Sequence, residues 1–177
     1  MKIAVLFASH TTGGKHEEIK QMLLSLPLEH AYDFIEMSSV DIKPCLQCKD
    51  CKDSRECGKD NFPEVLHRLV DSDLNLIVVP VYTPFPSKFV AVMEKLLGAS
   101  YLKKDKPLKG QRTAIVHYCS TKICDETPIK LLWQKYLMED YRFDIPNYNF
   151  VNHEPNPNEK YNRNITAYVK DIVLNML

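Results

Sequence analysis

The sequence carries no excess of charge, because 23 lysines and arginines balance 23 aspartates and glutamates in a chain of 177 residues. Nucleic acids and anionic lipid surfaces are bound mainly through an excess of basic side chains. The balanced composition therefore argues against a nucleic acid or a membrane as partner. It favours a small-molecule ligand.

Long apolar runs are absent from the amino terminus, where the longest covers only residues 3–8. A secretory signal needs an apolar stretch of ~7 to 15 residues, and a membrane span needs ~20. We therefore expect a cytoplasmic protein. The length suits one domain over residues 1–177, because a chain of this size buries roughly 70% of its unfolded surface without a disulfide or metal staple.

Short β-rich runs alternate with amphipathic helical patterns, which is typical of a parallel sheet covered by helices. The runs predict strands at residues 2–8, 32–37, 76–82, 113–119 and 143–151, alternating with five helices. This alternation predicts an α/β fold, a flavodoxin-like three-layer α/β/α sandwich with five parallel strands in the order 2-1-3-4-5. Such sheets bind ligands where the strand order reverses, here between the first and third strands.

Single residues predict where some of these elements begin and end. Asn61, followed by Glu64, predicts an N-terminal capping box for the second helix. Gly98 predicts a left-handed residue that ends the third helix. Pro80 lacks a backbone donor, so we expect it near the carboxyl end of its strand.

The loop after the first predicted strand is rich in hydroxyls and glycines and leads into a helix, whose free N–H groups and dipole favour a phosphate. The nucleotide pattern GxxxxGK[ST] is nearly met, but Ser9 replaces its first glycine and His16 replaces the hydroxyl that binds magnesium. We therefore discount nucleotide hydrolysis, and the dinucleotide pattern GxGxxG is absent. A mononucleotide phosphate fits better than a plain polar turn, with candidate residues Ser9, Thr11, Thr12, Gly14, Lys15 and His16.

The loop after the third predicted strand displays aromatic side chains between prolines beside the same switch point. Its candidate residues are Pro80, Tyr82, Thr83, Pro84 and Phe85. A planar ring system could stack there, or Tyr82 and Phe85 could merely close the end of the core. A phosphate loop and an aromatic loop at one switch point together favour a flavin.

Four of the six cysteines lie within thirteen residues in the pattern C-x2-C-x2-C-x5-C, at Cys45, Cys48, Cys51 and Cys57. Consecutive x2 spacings suit the face of a [4Fe-4S] cluster, whereas structural zinc usually pairs two knuckles across a longer spacer. Zinc, thiols without metal and reversible disulfides remain alternatives. The group forms a cysteine-rich insertion at about residues 42–60.

The chain from residue 1 to about residue 120 resembles the NADPH-dependent FMN reductase-like flavodoxins, and within them the iron-sulfur flavoproteins. The resemblance lies in KIAVLFAS at residues 2–9, DIKPCLQCKDCKDSREC at 41–57, DNFPEVLHRLVDSDLNLIVVPVY at 60–82 and SKFVAVMEKLLG at 87–98. The cysteine spacing is its specific element, since the other segments recur across many flavodoxin-like proteins.

This resemblance implies FMN bound non-covalently, with its phosphate at residues 9–16. Its ring would lie near residues 80–85 and the turn formed by Tyr118, Cys119 and Ser120. It also implies a [4Fe-4S] cluster on the four cysteines that exchanges electrons with the flavin. NAD(P)H is a possible co-substrate, a redox protein such as ferredoxin a possible partner, and a homodimer or homotetramer the expected assembly.

We therefore expect an FMN-dependent oxidoreductase in which FMN exchanges electrons with the [4Fe-4S] cluster. The flavin does the chemistry, and no side chain acts as nucleophile or general base. Three alternatives remain. The first is a cluster-free NAD(P)H-dependent FMN or quinone reductase, and the second is a non-enzymatic electron carrier. The third is a zinc-stabilised binding module that has lost flavin.

Overall fold

A computed structural model describes residues 1–27, 29–48, 57, 60–81, 85–103, 108–119, 144–152 and 165–176. Within them the strands are β1 (Lys2–Phe7), β2 (Ala31–Glu36), β3 (Leu74–Val81), β4 (Arg112–Cys119) and β5 (Asp144–Asn152). The helices are α1 (Lys15–Ser25), α2 (Phe62–Val70), α3 (Ser87–Lys103) and α4 (Ile165–Met176). The predicted helix between the fourth and fifth strands lies outside the described residues.

The five strands form one parallel sheet in the order β2-β1-β3-β4-β5. This confirms the predicted flavodoxin-like order. β1 pairs with β2 on one side and β3 on the other, so Leu6 lies beside both Ile35 and Ile77. β3 is the middle strand and every residue in it is buried, which explains why residues 76–81 are continuously apolar rather than alternating.

Each face of the sheet packs against helices, because successive strand residues point to opposite sides. Leu6 lies in a core with side chains of α2 and α3, such as Phe62 and Phe89. The next residue, Phe7, lies in a second core with side chains of α1 and α4, such as Ile19 and Val169. The two cores make the three-layer α/β/α sandwich.

The carboxyl ends of β1 and β3 lie side by side, where the strand order reverses. Residues 8–14 connect β1 to α1, and residues 82–86 connect β3 to α3. We call these two connections the phosphate loop and the aromatic loop. Pro80 is the second-last residue of β3, as its missing N–H predicts.

Two local predictions are wrong. Gly98 does not end the third helix, because α3 continues to Lys103 and Gly98 has no positive φ. A Cβ at Gly98 would lie 4.0 Å from the sulfur of Cys45, so this glycine lies where the cysteine-rich segment approaches the helix.

The capping box also does not form. α2 does begin after Asn61, but the side chain of Asn61 makes no capping hydrogen bond. Instead its Oδ1 accepts the N–H of Asp41 at 2.8 Å, and its own N–H donates to the carbonyl of Asp41 at 2.9 Å. Asp60 caps the helix in its place, because its Oδ1 accepts the N–H of Phe62 at 3.0 Å.

Among the described residues, none of the helices combines the length and the apolar character that crossing a lipid bilayer requires.

Candidate functional site

The phosphate loop is shaped by two hydroxyl residues. Ser9 is buried, and its Oγ accepts the N–H of Thr11 at 3.1 Å. The same Oγ lies 3.1 Å from the hydroxyl of Thr11. A serine hydroxyl that bonds the backbone two residues on stabilises a tight turn. Ser9 therefore sets the course of the loop, while Thr11 and Thr12 are exposed.

Two glycines bring the loop into α1 with a backbone that other residues rarely adopt. Gly13 has φ +86°, and Gly14 has φ 59° with ψ −133°. Within the part of the chain that the structure describes, and apart from the adjoining residues, no atom lies within 4 Å of where a Cβ would stand on either residue. The requirement for glycine is thus conformational, and no described residue fills the space in front of the helix start.

The first turn of α1 presents backbone donors at this opening. Gly14 is the N-terminal cap and makes no side-chain capping hydrogen bond. The N–H groups of the first helical turn have no intrahelical acceptor, and together with the helix dipole they favour an anion. The ammonium of Lys15 lies 2.7 Å from Glu18, so an anion would compete with that carboxylate for this charge.

His16 points away from the opening and into the core. Its ring stacks on Phe7 with 4.6 Å between ring centroids, and its Nε2 lies 3.0 Å from the hydroxyl of Tyr118. Burial lowers the pKa of His16 from 6.5 to about 4, although the charge of Glu36 acts in the opposite direction. The imidazole is therefore neutral at neutral pH, and what His16 presents to the loop is its backbone N–H.

The aromatic loop is described only at its ends. Pro80 is buried in β3, while Tyr82, Thr83 and Pro84 lie outside the described residues. Phe85 is half-buried, and its ring centroid lies 5.8 Å from that of His117 at 60°. His117 is fully buried, and burial lowers its pKa to about 3. His117 is thus a neutral core residue beneath Phe85.

The carboxyl end of β4 lies next to these residues. Tyr118 is the second-last residue of β4 and pairs with Pro80 of β3, so it lies at the same edge of the sheet. Cys119 ends the strand, and Ser120 lies outside the described residues.

A histidine of the phosphate loop connects it to α3. Nε2 of His10 accepts the N–H of Ser87, the first residue of α3, at 3.1 Å, and lies 3.4 Å from the hydroxyl of Ser87. This hydrogen bond joins the phosphate loop to the start of α3, directly after the aromatic loop. The sequence gives no signal for it, because the partners are 77 positions apart.

The cysteine-rich segment is held at both ends by one buried carboxylate. Oδ2 of Asp60 accepts the N–H of Lys43 at 2.8 Å and also the ammonium of Lys95 from α3. The side chains of Asp60 and Lys95 are 1% and 5% exposed. Burial acts to raise the pKa of Asp60, but hydrogen bonds from Lys95, Lys43 and Phe62 lower it below its ordinary value.

The described cysteines are not brought together as a metal centre. Cys45 is half-buried, and its N–H donates to Glu94 of α3 at 3.4 Å. Cys48 is exposed, whereas Cys57 is half-buried against the core of α2 and α3. Cys51 lies outside the described residues, and among those described no group of three or more His, Cys, Asp or Glu could hold a metal.

The sheet order and the loops at its switch point define a flavodoxin-like α/β protein. The structure is similar to an FMN-dependent NADH-azoreductase from Bacillus anthracis in complex with FMN, with a TM-score of 0.66, 13% identity and 99% of each chain covered. It is also similar to an NAD(P)H:quinone oxidoreductase from Methanothermobacter marburgensis, with a TM-score of 0.61, 14% identity and 96% and 94% of the two chains covered.

A putative quinone reductase from Klebsiella pneumoniae has a TM-score of 0.67 at 10% identity, over 99% of this chain and 85% of the other. At such identities the similarity establishes the fold. Neither a protein-family profile nor a curated protein matches the sequence.

Proposed function

We propose that this protein is an FMN-dependent NAD(P)H oxidoreductase that reduces a small acceptor such as a quinone or an azo compound. The observation that carries the proposal is the glycine turn of the phosphate loop, which opens onto the first turn of α1 at the switch point. The solved structures with this fold named above support it, since they include an azoreductase with FMN and two quinone reductases.

The described residues fit the phosphate of FMN. Gly13 and Gly14 leave space in front of the helix where a Cβ would otherwise stand. The first N–H groups of α1 supply donors, and the exposed hydroxyls of Thr11 and Thr12 can add to them. A phosphate held mainly by backbone donors explains why the loop does not need the complete nucleotide pattern.

Bound at this site, FMN would supply the chemistry of hydride transfer between NAD(P)H and a small acceptor. The residues of this chain bind and orient the cofactor. His10 ties the phosphate loop to Ser87, which limits how far the two loops can move apart. No side chain is assigned as nucleophile or general base.

The reading with a [4Fe-4S] cluster has less support. The spacing of Cys45, Cys48, Cys51 and Cys57 favours it. Within the described part of the chain, however, the cysteines do not form a metal-binding group. A reductase without a cluster accounts for the structural similarities and needs no metal site. We therefore assign no role to iron.

The decisive experiment is the visible spectrum of protein purified without oxygen, with iron and sulfide assayed on the same sample. We expect flavin bands, FMN by mass spectrometry after heat release, and oxidation of NAD(P)H with a naphthoquinone or an azo dye. Stoichiometric iron and sulfide would favour the cluster reading. Electron exchange with ferredoxin without NAD(P)H oxidation would favour an electron carrier, and a colourless protein that does not bind added FMN would refute the proposal.

A matched pair of glycine variants tests the site itself. Gly14→Ala introduces a Cβ at φ 59° beside the phosphate, while Gly110→Ala introduces one at φ 78° in the turn before β4. That turn lies at the amino edge of the sheet, opposite the site. Both variants place a Cβ at a positive φ that L side chains rarely adopt, but only Gly14→Ala should lose FMN and activity. Equal FMN binding by the two variants would contradict the proposed phosphate position.

A further inference from the structure

A buried hydrogen bond connects the start of α1 to the end of β4. The hydroxyl of Tyr118 and Nε2 of His16 lie 3.0 Å apart, although the residues are 102 positions apart in the sequence. His16 is the second residue of α1, and Tyr118 is the second-last residue of β4. The bond therefore joins the helix whose first turn faces the phosphate loop to the carboxyl end of β4.

The surroundings of this bond hold it in one geometry. His16 and Tyr118 are only 7% and 9% exposed. Phe7 stacks on one face of the imidazole, and the ring of Tyr118 meets it edge-on at 85°. The charged groups nearby are Glu36, which acts on His16, and Lys20, which bonds Glu36 at 3.1 Å. A neutral imidazole in such a site can accept a hydrogen bond from the phenol.

The hydrogen bond between Tyr118 and His16 helps to hold the first turn of α1 in place, because Gly13 and Gly14 are too flexible to hold the phosphate loop by themselves. Glycine is the most flexible residue of the chain, so a loop that ends in two glycines needs an anchor on the far side. His16 is the first residue of α1 whose side chain is buried. Its ring is held by Phe7 below and Tyr118 beside it, so it can act as that anchor.

We propose that Tyr118 is a positioning residue, which acts through His16 to hold the first turn of α1 where its backbone binds the phosphate of FMN. This inference rests on the proposed function, because it assumes that FMN binds at the phosphate loop. It goes beyond the proposed function because it names Tyr118 as a residue that positions the phosphate site from the opposite side of the helix. If Tyr118 has this role, removing its hydroxyl should weaken the binding of a flavin that carries the phosphate and leave the binding of a flavin without it nearly unchanged.

The experiment compares FMN with riboflavin, which lacks the phosphate, by flavin fluorescence titration at pH 7.5. Tyr118→Phe removes the hydroxyl and keeps the ring. The bond is already present in the protein without FMN, so only the lost positioning of the phosphate site changes the Kd for FMN. We expect that Kd to rise by about 3- to 10-fold, the upper figure being the full contribution of one buried hydrogen bond. The Kd for riboflavin should change less than about 2-fold.

Two further variants separate positioning from general stability. His16→Gln keeps a carbonyl oxygen that can accept the phenol, so FMN affinity should be largely retained. Tyr32→Phe is the matched control, because the hydroxyl of Tyr32 is buried in the same aromatic row, without a hydrogen-bond partner among the described residues. It should leave both constants unchanged.

Different results would refute the positioning role of Tyr118 and the proposed function. If wild-type protein binds neither FMN nor riboflavin, the proposed function fails. If it binds FMN and Tyr118→Phe weakens FMN and riboflavin equally or not at all, the positioning role is refuted. If Tyr118→Phe does not fold, His16→Phe removes the acceptor while keeping a ring on Phe7. It must show the same selective loss for FMN.

Discussion

At the scale of single residues, the glycines occupy two kinds of backbone with opposite consequences for substitution. Gly14 has φ 59°, which only glycine adopts readily, whereas Gly98 lies inside α3. A Cβ on Gly98 would meet the sulfur of Cys45 at 4.0 Å, an ordinary contact. Glycine is therefore required at the first position and is tolerated at the second.

We predict that Gly14→Ala lowers the free energy of unfolding by about 1–3 kcal/mol, because alanine is strained at this φ and ψ. Gly98→Ala should raise it by about 0.5–1 kcal/mol, because alanine has the higher helix propensity and restricts the unfolded chain. Urea denaturation of both variants without FMN measures the two changes. Destabilisation by Gly98→Ala would show that the cysteine-rich segment packs more tightly on α3 than the structure indicates.

Two buried histidines make the protein sensitive to acid. Burial lowers the pKa of His16 to about 4 and that of His117 to about 3, from an ordinary value of 6.5. Between these values and 6.5 the unfolded chain binds protons that the folded chain does not. The free energy of unfolding therefore falls as the pH is lowered from 6.5, and the contribution of His16 levels off below pH 4.

We predict that His16→Gln makes the unfolding free energy less dependent on pH between 6 and 4.5. Slightly less than one proton fewer should be taken up on unfolding, so the slope should decrease by about 1 kcal/mol per pH unit. Urea denaturation across this range measures it. Asp33 does not interfere, because its pKa is lowered below 3.8, chiefly by a hydrogen bond from Arg68. An unchanged slope in His16→Gln would show that His16 is protonated in the folded protein.

At the scale of elements, one buried ion pair connects the cysteine-rich segment, α2 and α3. Asp60 accepts the N–H groups of Lys43 and Phe62 and bonds Lys95. The ammonium of Lys95 also lies 5.6 Å from the ring centroid of Phe62. Removing Lys95 would leave the carboxylate of Asp60 buried without an opposite charge, and an unpaired buried charge strongly lowers the free energy of unfolding.

We predict that Lys95→Met lowers the free energy of unfolding by about 3–5 kcal/mol. Lys43→Ala is the control, because Lys43 and Asp41 form an ion pair with side chains 58% and 63% exposed. Such pairs contribute about 1 kcal/mol or less. Chemical denaturation measures both changes. In the double variant Lys95→Met/Asp60→Asn the loss should be smaller than in Lys95→Met alone, and a larger loss would refute the burial argument.

At the scale of the whole molecule, stability should fall from the middle of the sheet to its edges. β3 pairs with both β1 and β4, whereas β2 pairs with β1 alone among the described strands. Both faces of β3 are covered by helices. Opening of β3 therefore requires disruption of both cores, while β2 can separate locally.

We predict that the amides of β3 exchange with solvent only through global unfolding, and that those of β2 exchange faster. Native-state hydrogen exchange in increasing denaturant measures both. The exchange free energy of β3 should equal the global free energy of unfolding from urea denaturation, and that of β2 should be lower. Equal values for the two strands would show that the sheet opens as a single unit.

The sequence predicted the elements correctly where a repeated apolar pattern identified them. In α2 the apolar residues Phe62, Val65, Leu66 and Leu69 recur at helical spacing, and all four are buried. Predictions from single residues were less successful. Gly98 does not end α3, and the side chain of Asn61 binds Asp41 rather than capping α2. A lone residue reports only a local preference, which one distant contact can override.

The candidate site was predictable as two loops but not as a set of contacts. Ser9, Gly13 and Gly14 shape the phosphate loop at the expected place. The direction of the His16 side chain was not predictable. The sequence placed His16 among the candidate phosphate ligands, whereas in the structure its ring turns inward to Tyr118. Helical position alone does not reveal this. The direction of the ring depends on Phe7 and on a strand more than a hundred residues away.

The sequence by itself determined the order of strands and helices, the flavodoxin-like topology and the position of the switch point. These features follow from the periodicity of apolar residues and from short connections, both of which are local. Only the tertiary structure decided the pairing of His10 with Ser87, of His16 with Tyr118 and of Asp60 with Lys95. Each pair joins residues that become neighbours only after the sheet and its two helical layers have packed. Their hydrogen bonds, burial and pKa values are therefore properties of the folded molecule.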